Sequence, residues 1–244
     1  MHGGRTLGGI RRAGWITTIA ALSLFSAHLG AQQADESQVV RGIDAAVRAR
    51  FDGIAAYTVT EHYVVYRGAD PTHAAAEMTV QTTYSKDSGK SYKVLSESGS
   101  GIIRKFGLDP LLENEKRIND PALREASWFT SDNYEMKLKS AATERVNGAD
   151  CFAVSITPKQ KAANLILGTI WVDAKDYAIL RIEGTGSKSP SMWSGPAHMT
   201  RDYARFSGFA EATHARAVSQ SPLFGQTVVT IDYSNYQMQL GHGR

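Results

Sequence analysis

Residues 170–183 read IWVDAKDYAILRIE, and this stretch decides the fold. A turn at Ala174-Lys175-Asp176 separates two runs that are rich in apolar residues, Leu165–Val172 and Ala178–Ile182. Two such runs joined by a short polar turn predict a β-hairpin, and therefore an antiparallel sheet. Because Leu165–Val172 is nearly all apolar, we expect its strand to be buried on both faces.

Strand patterning continues on both sides of this hairpin. Apolar and polar residues alternate in Tyr57–Val65 and Met78–Tyr84, and many of them are β-branched or aromatic, which suits a half-buried strand. Six further strands are predicted at Tyr92–Leu95, Tyr134–Leu138, Phe152–Ile156, Met199–Phe206, Phe209–Val218 and Thr227–Tyr236. About ten or eleven strands in sequential antiparallel order predict a mainly β protein with a few helices.

One amphipathic helix precedes the strands, and two short helices interrupt them. Apolar residues recur at helical spacing from Val39 to Phe51, and we expect Ser37 to cap this helix and Gly53 to end it. Asp109-Pro110 and Asp120-Pro121 each place a capping residue before proline, which predicts two further helix starts.

The first 31 residues have the pattern of a cleavable secretory signal peptide. Arg5, Arg11 and Arg12 precede an apolar run, Trp15–Phe25, that is short for a membrane span, and small residues end at Ala31. We expect a single exported domain over residues 32–244; an uncleaved N-terminal anchor is the alternative. Without the three arginines this domain has 24 basic and 24 acidic residues, which gives no support for nucleic-acid binding.

No known pattern of chemical groups stands out in this domain. Cys151 is the only cysteine, and its five histidines show no spacing typical of metal ligands: His62, His73, His198, His214 and His242. Ser98–Gly101 lacks the spacing around a nucleophilic serine and is predicted to be a flexible hairpin turn. The Gly/Ser/Pro-rich segment Gly184–Pro196 predicts a long loop. We therefore expect no metal, no cofactor and no enzymatic activity.

Two strand motifs resemble a known family. Residues 146–159, VNGADCFAVSITPK, and the hairpin 170–183 are similar to the corresponding motifs of the LolA-like outer-membrane lipoprotein-sorting proteins and their RseB/MucB periplasmic relatives. The order of signal peptide, helix, strands, helical insert and strands agrees over most of residues 38–237. The resemblance implies an unclosed antiparallel β-barrel with helices roofing its concave face, and an apolar cavity for acyl chains.

Period-2 alternation indicates which side chains share a face of the sheet. We expect a ligand groove lined by Val59, Tyr63, Met78, Val80, Tyr92, Val94, Tyr134, Met136, Trp171 and Leu180. The helical lid over it would include Val40, Val47, Leu111 and Leu112. Alternation alone leaves open whether this face is an open groove or a filled core, and a slip of one residue would invert a strand.

Three functions are compatible with these patterns. The first is a periplasmic, non-enzymatic binder of lipid or lipoprotein acyl chains, which would serve transport and lipoprotein sorting in outer-membrane biogenesis. The second is an envelope sensor of the RseB/MucB type that binds an inner- or outer-membrane partner protein. The third is an enzyme, for which no arrangement of catalytic residues is visible.

Overall fold

Eleven antiparallel strands form one sheet in the computed structural model, which describes residues 35–68, 72–162, 164–187, 197–221 and 225–241. The strands are β1 (Ile54–Arg67), β2 (Ala76–Ser85), β3 (Gly89–Gly99), β4 (Tyr134–Leu138), β5 (Glu144–Val146), β6 (Ala149–Pro158), β7 (Ile166–Asp173), β8 (Ile179–Gly186), β9 (His198–Phe206), β10 (Phe209–Ser221) and β11 (Gly225–Leu240). Their order in the sheet is β3-β2-β1-β11-β10-β9-β8-β7-β6-β4, with β5 paired to β6 outside this order. The end strands β3 and β4 do not pair with each other, so the predicted unclosed, mainly β fold is confirmed.

The first helix begins where the sequence predicts, although its cap is a different residue. Helix α1 spans Glu36–Gly53, and its N-cap is Asp35. The Asp35 carboxylate accepts hydrogen bonds from the Ser37 backbone N–H, at 3.1 Å, and from the Ser37 hydroxyl, at 2.7 Å. The prediction that Ser37 caps the helix is therefore wrong. In the described part of the chain no helix has the length and apolar character that crossing a membrane requires.

A longer helical segment than predicted connects β3 to β4. It comprises α2 (Gly101–Ile103), a π-helical turn (Arg104–Leu108), α3 (Asp109–Ile118) and a 3₁₀ turn (Arg124–Ser127). The hairpin turn predicted at Ser98–Gly101 is wrong, because Ser100 caps α2 instead. The helix start predicted at Asp109 lies within a continuous helical segment. Asp120 does accept a hydrogen bond from the Ala122 N–H, at 2.8 Å, but only a short 3₁₀ turn follows it.

Both helical segments pack on the same face of the sheet, which we call the inner face. Directly paired residues lie on one face, and the pairing forms a continuous row across the sheet. This row is Met78, Tyr63, Ile231, Ala215, Arg201, Ile182, Ile170 and Val154. Val39 and Ile43 of α1 are buried against Ile170 and Val154 at one end of the row. Leu108 and Leu112 are buried against Met78 and Tyr63 at the other.

The hairpin β7–β8 is buried less completely than its composition predicts. Ile170 and Val172 are fully buried under α1, but Leu167 is 49% exposed. Within the described residues, the strand is therefore not buried on both faces along its whole length. The predicted loop Gly184–Pro196 begins later than expected, since β8 continues to Gly186. Residues 188–196 and the predicted signal peptide lie outside the described residues.

Helix α1 packs closely against the β7–β8 hairpin turn at Gly42. Tyr177 in this turn has a positive φ of 60°, and its N–H donates to the Asp173 carbonyl at 2.8 Å. A Cβ atom added to Gly42 would lie 2.2 Å from the Tyr177 ring. The close approach of helix and ring therefore requires the absence of a side chain at residue 42.

The effect of Gly42→Ala on stability should change sign with the residue at position 177. In the otherwise unchanged protein we expect a loss of about 1–3 kcal/mol, because the new methyl group overlaps a rigid ring. In a Tyr177→Ala background the same change should stabilise by about 1 kcal/mol, since alanine is the better helix former. Urea unfolding of the four proteins measures both effects. The same sign in both backgrounds would contradict the proposed contact.

Candidate functional site

A cavity of about 360 Å³ lies between the inner face and the helices. Its helical and loop walls are formed by Ala46, Val47, Arg50, Phe51, Glu115, Ile118, Arg124, Ser127, Trp128 and Phe129, among others. Its floor is formed by strand residues that include Tyr57, Glu61, Lys90, Arg201, Tyr203, Arg205, Glu211, Tyr233 and Tyr236. The volume is at the small end of the range for ligand sites, which suits one compact ligand.

Aromatic rings form part of the cavity wall. Phe51, in the last turn of α1, stacks on Trp128 with 4.4 Å between ring centroids. Tyr57 stacks on Tyr84 at 4.9 Å, and Tyr236 approaches Tyr57 at 5.9 Å. Rings give a broad apolar surface with little loss of side-chain entropy on binding. The wall can therefore hold the apolar part of a ligand.

One carboxylate in the cavity joins three elements. Glu115 of α3 lies 3.2 Å from the Lys90 ammonium on β3 and 3.5 Å from the Arg201 guanidinium on β9. Burial alone would raise the pKa of Glu115, but the two cations outweigh it and lower the pKa to about 2. Burial likewise opposes the charge of Lys90, yet its pKa is raised by Tyr57, Glu115 and Glu61. The cluster is therefore charged at neutral pH.

A second ion pair connects α1 to β10. Arg50 Nη2 lies 2.6 Å from Glu211 Oε2, and Arg50 Nε donates to the Ala210 carbonyl at 3.3 Å. The other carboxylate oxygen of Glu211 is buried without a hydrogen-bond partner among the described residues. Glu61, a third buried acid, accepts a short hydrogen bond from the Tyr63 hydroxyl. Buried charges with so few partners are costly. We therefore infer that this region does more than fill the core.

None of the ten residues predicted to line a ligand groove lines this cavity. Seven of them pack in the inner-face core instead: Val59, Tyr63, Met78, Val80, Tyr92, Tyr134 and Met136. Trp171 alternates with Ile170 and Val172 and so lies on the opposite face, where it packs in a cluster with Leu180 and Cys151. Val94 is 48% exposed on the edge strand β3.

The predicted lid residues divide between the two helical segments. Val47 lines the cavity, while Val40 packs beside it against the α1 side of the core. Leu112 is buried on the α3 side, and Leu111 packs at the border of the same cluster. The helices therefore cover the inner face, but most of these side chains fill the core and leave the cavity to other residues.

Nine of the cavity residues that sequence reasoning missed are charged. Glu61 carried the clearest signal, because it occupies the apolar side of an alternating strand, between Val59 and Tyr63. Arg201 is in the same position on β9, since it pairs with Ile182 and Ala215 of the inner face. A charged residue on the face that is otherwise buried indicates an internal site. Charged residues on helices, such as Glu115, do not interrupt a strand alternation, and the sequence therefore did not indicate that they line a site.

The described part of the chain offers no cluster of His, Cys, Asp and Glu side chains able to hold a metal ion. No histidine or cysteine is among the described residues of the cavity wall. Cys151 is buried elsewhere, and burial, with Asp173 and Asp150, raises the pKa of its thiol to about 11. The thiol is therefore protonated at neutral pH and weakly nucleophilic.

The helical segment after β3 exposes two large apolar side chains. Ile102 is 73% and Phe106 is 72% exposed, and Lys105 lies 5.8 Å from the Phe106 ring centroid. Beside them is an open groove of about 300 Å³ whose wall includes Val65, Leu111 and Val229. Exposed apolar side chains beside a groove are typical of an interaction surface.

The chain is similar in fold to several solved structures, although no family model and no curated protein matches it. A LolA superfamily protein from Nitrosomonas europaea has 13% identity and a TM-score of 0.46, covering 84% of this chain and 94% of that one. A putative outer membrane lipoprotein-sorting protein domain from Vibrio parahaemolyticus has 13% identity and a TM-score of 0.45, covering 85% and 94%. MucB in complex with MucA(peri) has 11% identity and a TM-score of 0.24, covering 82% and 94%. These are the families that the sequence motifs resemble, and at such identities the likeness concerns the fold alone.

Replacing Glu115 by glutamine should make the protein less sensitive to acid. Because the pKa of Glu115 is lowered on folding, its charge stabilises the fold above pH 4.5, and this contribution is lost as the pH falls toward 2. We expect Glu115→Gln to lower the free energy of unfolding at pH 7 by about 3 kcal/mol. The difference from the unchanged protein should shrink as the pH is lowered from 4.5 toward 2. Urea unfolding over this pH range measures it.

Asp132→Asn provides the matched control. Asp132 pairs with Arg48 at 2.7 Å, but its side chain is 71% exposed. Removing an exposed pair should change the stability by about 0.5 kcal/mol or less. A Glu115→Gln deficit that stays constant from pH 7 to pH 3 would show that the carboxylate charge does not stabilise the fold.

Proposed function

We propose that the chain is an exported, non-enzymatic binding protein that holds one small amphipathic ligand, such as a lipid or the acyl chain of a lipoprotein. The observation that carries this proposal is the cavity of about 360 Å³, in which an aromatic wall meets a charged floor. Neither feature is needed to fill a core. An amphipathic ligand uses both, since its apolar part can lie against the Phe51–Trp128 stack and its polar part against the charges.

The apolar part of the ligand supplies most of the expected affinity. Each buried methylene contributes about 0.8 kcal/mol, which is roughly a fourfold gain in affinity. The cavity is small, so this gain should stop once the chain is longer than the space. Such a site suits a single chain and does not require a covalent step.

The charges in the cavity favour binding over catalysis. General acid–base catalysis is most effective with a group whose pKa lies near the working pH. Here the pKa of Glu115 is held near 2, and the pKa values of Lys90 and Arg201 are raised. Lys90 and Arg201 therefore stay protonated, and Glu115 stays deprotonated, throughout the neutral range. They can therefore orient a ligand but are poorly suited to transfer protons to it.

The export pattern in residues 1–31 supports a location in the periplasm. There a soluble amphiphile carrier would serve lipid transport or lipoprotein sorting in outer-membrane biogenesis. Protein purified from a periplasmic fraction should begin near Gln32, and this mature form is the proper material for the binding measurement below.

Straight-chain alkanoates and alkanols should bind with an affinity that rises with chain length and then levels off. We expect roughly a fourfold gain per methylene from about eight carbons until the cavity is full. Isothermal titration calorimetry of the mature protein measures the series. Affinity that is absent, or independent of chain length, would contradict an apolar binding site.

Two neighbouring alanines of α1 locate the binding site. Ala46 lines the cavity, whereas Ala45 on the same turn is exposed. Ala46→Phe should fill the cavity and weaken binding at least about tenfold, because its ring occupies the ligand's space. Ala45→Phe adds the same ring on the solvent side and should leave binding unchanged. Equal effects of the two changes would place the ligand elsewhere.

The exposed segment after β3 favours the second function, that of an envelope sensor with a protein partner. Ile102 and Phe106 lie more than two-thirds exposed on α2 and the π-helical turn, and the cavity wall includes no residue of 101–108. Apolar side chains at such exposure are common at the centres of protein interfaces. The sensor function would use this surface to contact a membrane protein.

Photo-crosslinking in whole cells tests for such a partner. A photoreactive phenylalanine analogue at Phe106 should give one discrete adduct with an envelope protein. The same analogue at Leu123, which is also exposed but lies after α3, is the control and should give none. Identical patterns from the two positions would argue against a dedicated interaction surface.

A further inference from the structure

One cation in the cavity wall has no acidic partner among the residues that the structure describes. Five cationic and four acidic side chains line it. Most of the cations have acidic partners: Arg50 pairs with Glu211, while Arg205 lies 2.6 Å from Asp176 and 3.2 Å from Asp173. The fifth cation is not matched in this way.

Arg124 is this unmatched cation. Its Nη1 donates to the Lys86 carbonyl at 2.6 Å and to the Tyr84 hydroxyl at 3.3 Å, and both acceptors are neutral. Its Nε is buried without a hydrogen-bond partner among the described residues. Within that part of the chain, no carboxylate lies within ion-pair distance of Arg124. Its guanidinium is half-buried, so water compensates the charge only in part.

The floor cations, in contrast, have acidic partners. Lys90 and Arg201 share the single carboxylate of Glu115. Glu61 contributes a further negative charge near Lys90, and its carboxylate also accepts a hydrogen bond from the Tyr63 hydroxyl. Among the described residues, Arg124 is therefore the cation of the cavity wall without a carboxylate partner.

The unmatched cation lies close in sequence to the aromatic wall. Trp128 follows Arg124 by four residues, lines the same cavity and stacks on Phe51. The indole N–H of Trp128 is also buried without an acceptor among the described residues. In this region of the cavity, the Nε–H of Arg124 and the indole N–H of Trp128 thus lack an acceptor within the described part of the chain, and the aromatic wall is free to contact an apolar group.

We propose that the ligand of this cavity carries one anionic group, a carboxylate or a phosphate, which pairs with Arg124 while its apolar part packs against Phe51 and Trp128. This inference rests on the proposed function, because it names the chemical class of the amphiphile. The planar guanidinium is well suited to both groups, since it can donate two parallel hydrogen bonds to two oxygens. The ligand's charge supplies the counterion that the protein lacks.

A series of ligands that differ only in the head group tests the proposal. At low ionic strength, decanoate and decyl phosphate should each bind the mature protein at least about tenfold more tightly than decanol, and decylammonium should bind most weakly. The relative affinities of the first two show whether the site takes a carboxylate or a phosphate. Raising the salt to about 0.5 M should reduce the preference, because ions screen the pairing.

Two arginine variants locate the preference. Arg124→Gln should bring decanoate within about threefold of decanol, and Arg124→Lys should retain part of the preference. Arg48→Gln, at an exposed position of α1 that does not line the cavity, should retain all of it. The comparison of head groups in the unchanged protein stands even if a variant unfolds.

Each outcome decides between the two proposals. Equal binding of decanoate, decanol and decylammonium would overturn the anionic ligand and leave the amphiphile-binding function intact. A preference for anions that Arg124→Gln does not alter would overturn the role of Arg124. Binding of none of these amphiphiles would overturn the proposed function and this inference together.

Discussion

The inner face of an eleven-stranded sheet has to be covered, because its apolar side chains would otherwise remain in contact with water. Two separate helical segments provide the cover, one at each end of the row of paired residues. Helix α1 buries Ile170 and its neighbours, and the segment from α2 to α3 buries Tyr63 and Met78. Arg201 lies in the middle of the row, between these two buried ends. The cavity is the space that this division leaves.

Ion pairs hold the helices beside that space. Glu115 connects α3 to β3 and β9, and Arg50 connects α1 to β10. Removing one member of such a pair leaves the other charge buried and alone, which is far more costly than losing an exposed pair. A filled apolar core would have been cheaper to build here. The ion pairs therefore fix the position of both helices and, at the same time, keep the cavity polar on one side.

Much of the sheet was predictable, because alternation along a strand is a local property. The face of Met136, for example, follows from its neighbours Glu135 and Lys137 and agrees with its packing against α1. Whether a residue on that face touches a ligand or a helix depends on contacts far away in sequence. Val39 and Ile43 cover this end of the sheet, and nothing near residue 136 indicates it. The same limitation hid the role of Glu115, whose partners lie 25 and 86 residues away along the chain. Leu167, in an apolar strand, is nevertheless 49% exposed within the described part of the chain.

The polarity of the cavity changes what a bound chain can do there. In a purely apolar groove a ligand gains the same free energy whichever way it points, since burial has no direction. An ion pair has a direction, because it fixes one end of the ligand at one guanidinium. With the head group at Arg124, the adjoining chain lies against Trp128 and Phe51, beside the end of α1. Affinity then comes mainly from the apolar chain, while orientation and selectivity between ligands come from the charge. This division of roles is what a carrier needs if it is to accept one class of amphiphile among many that share the same apolar chain.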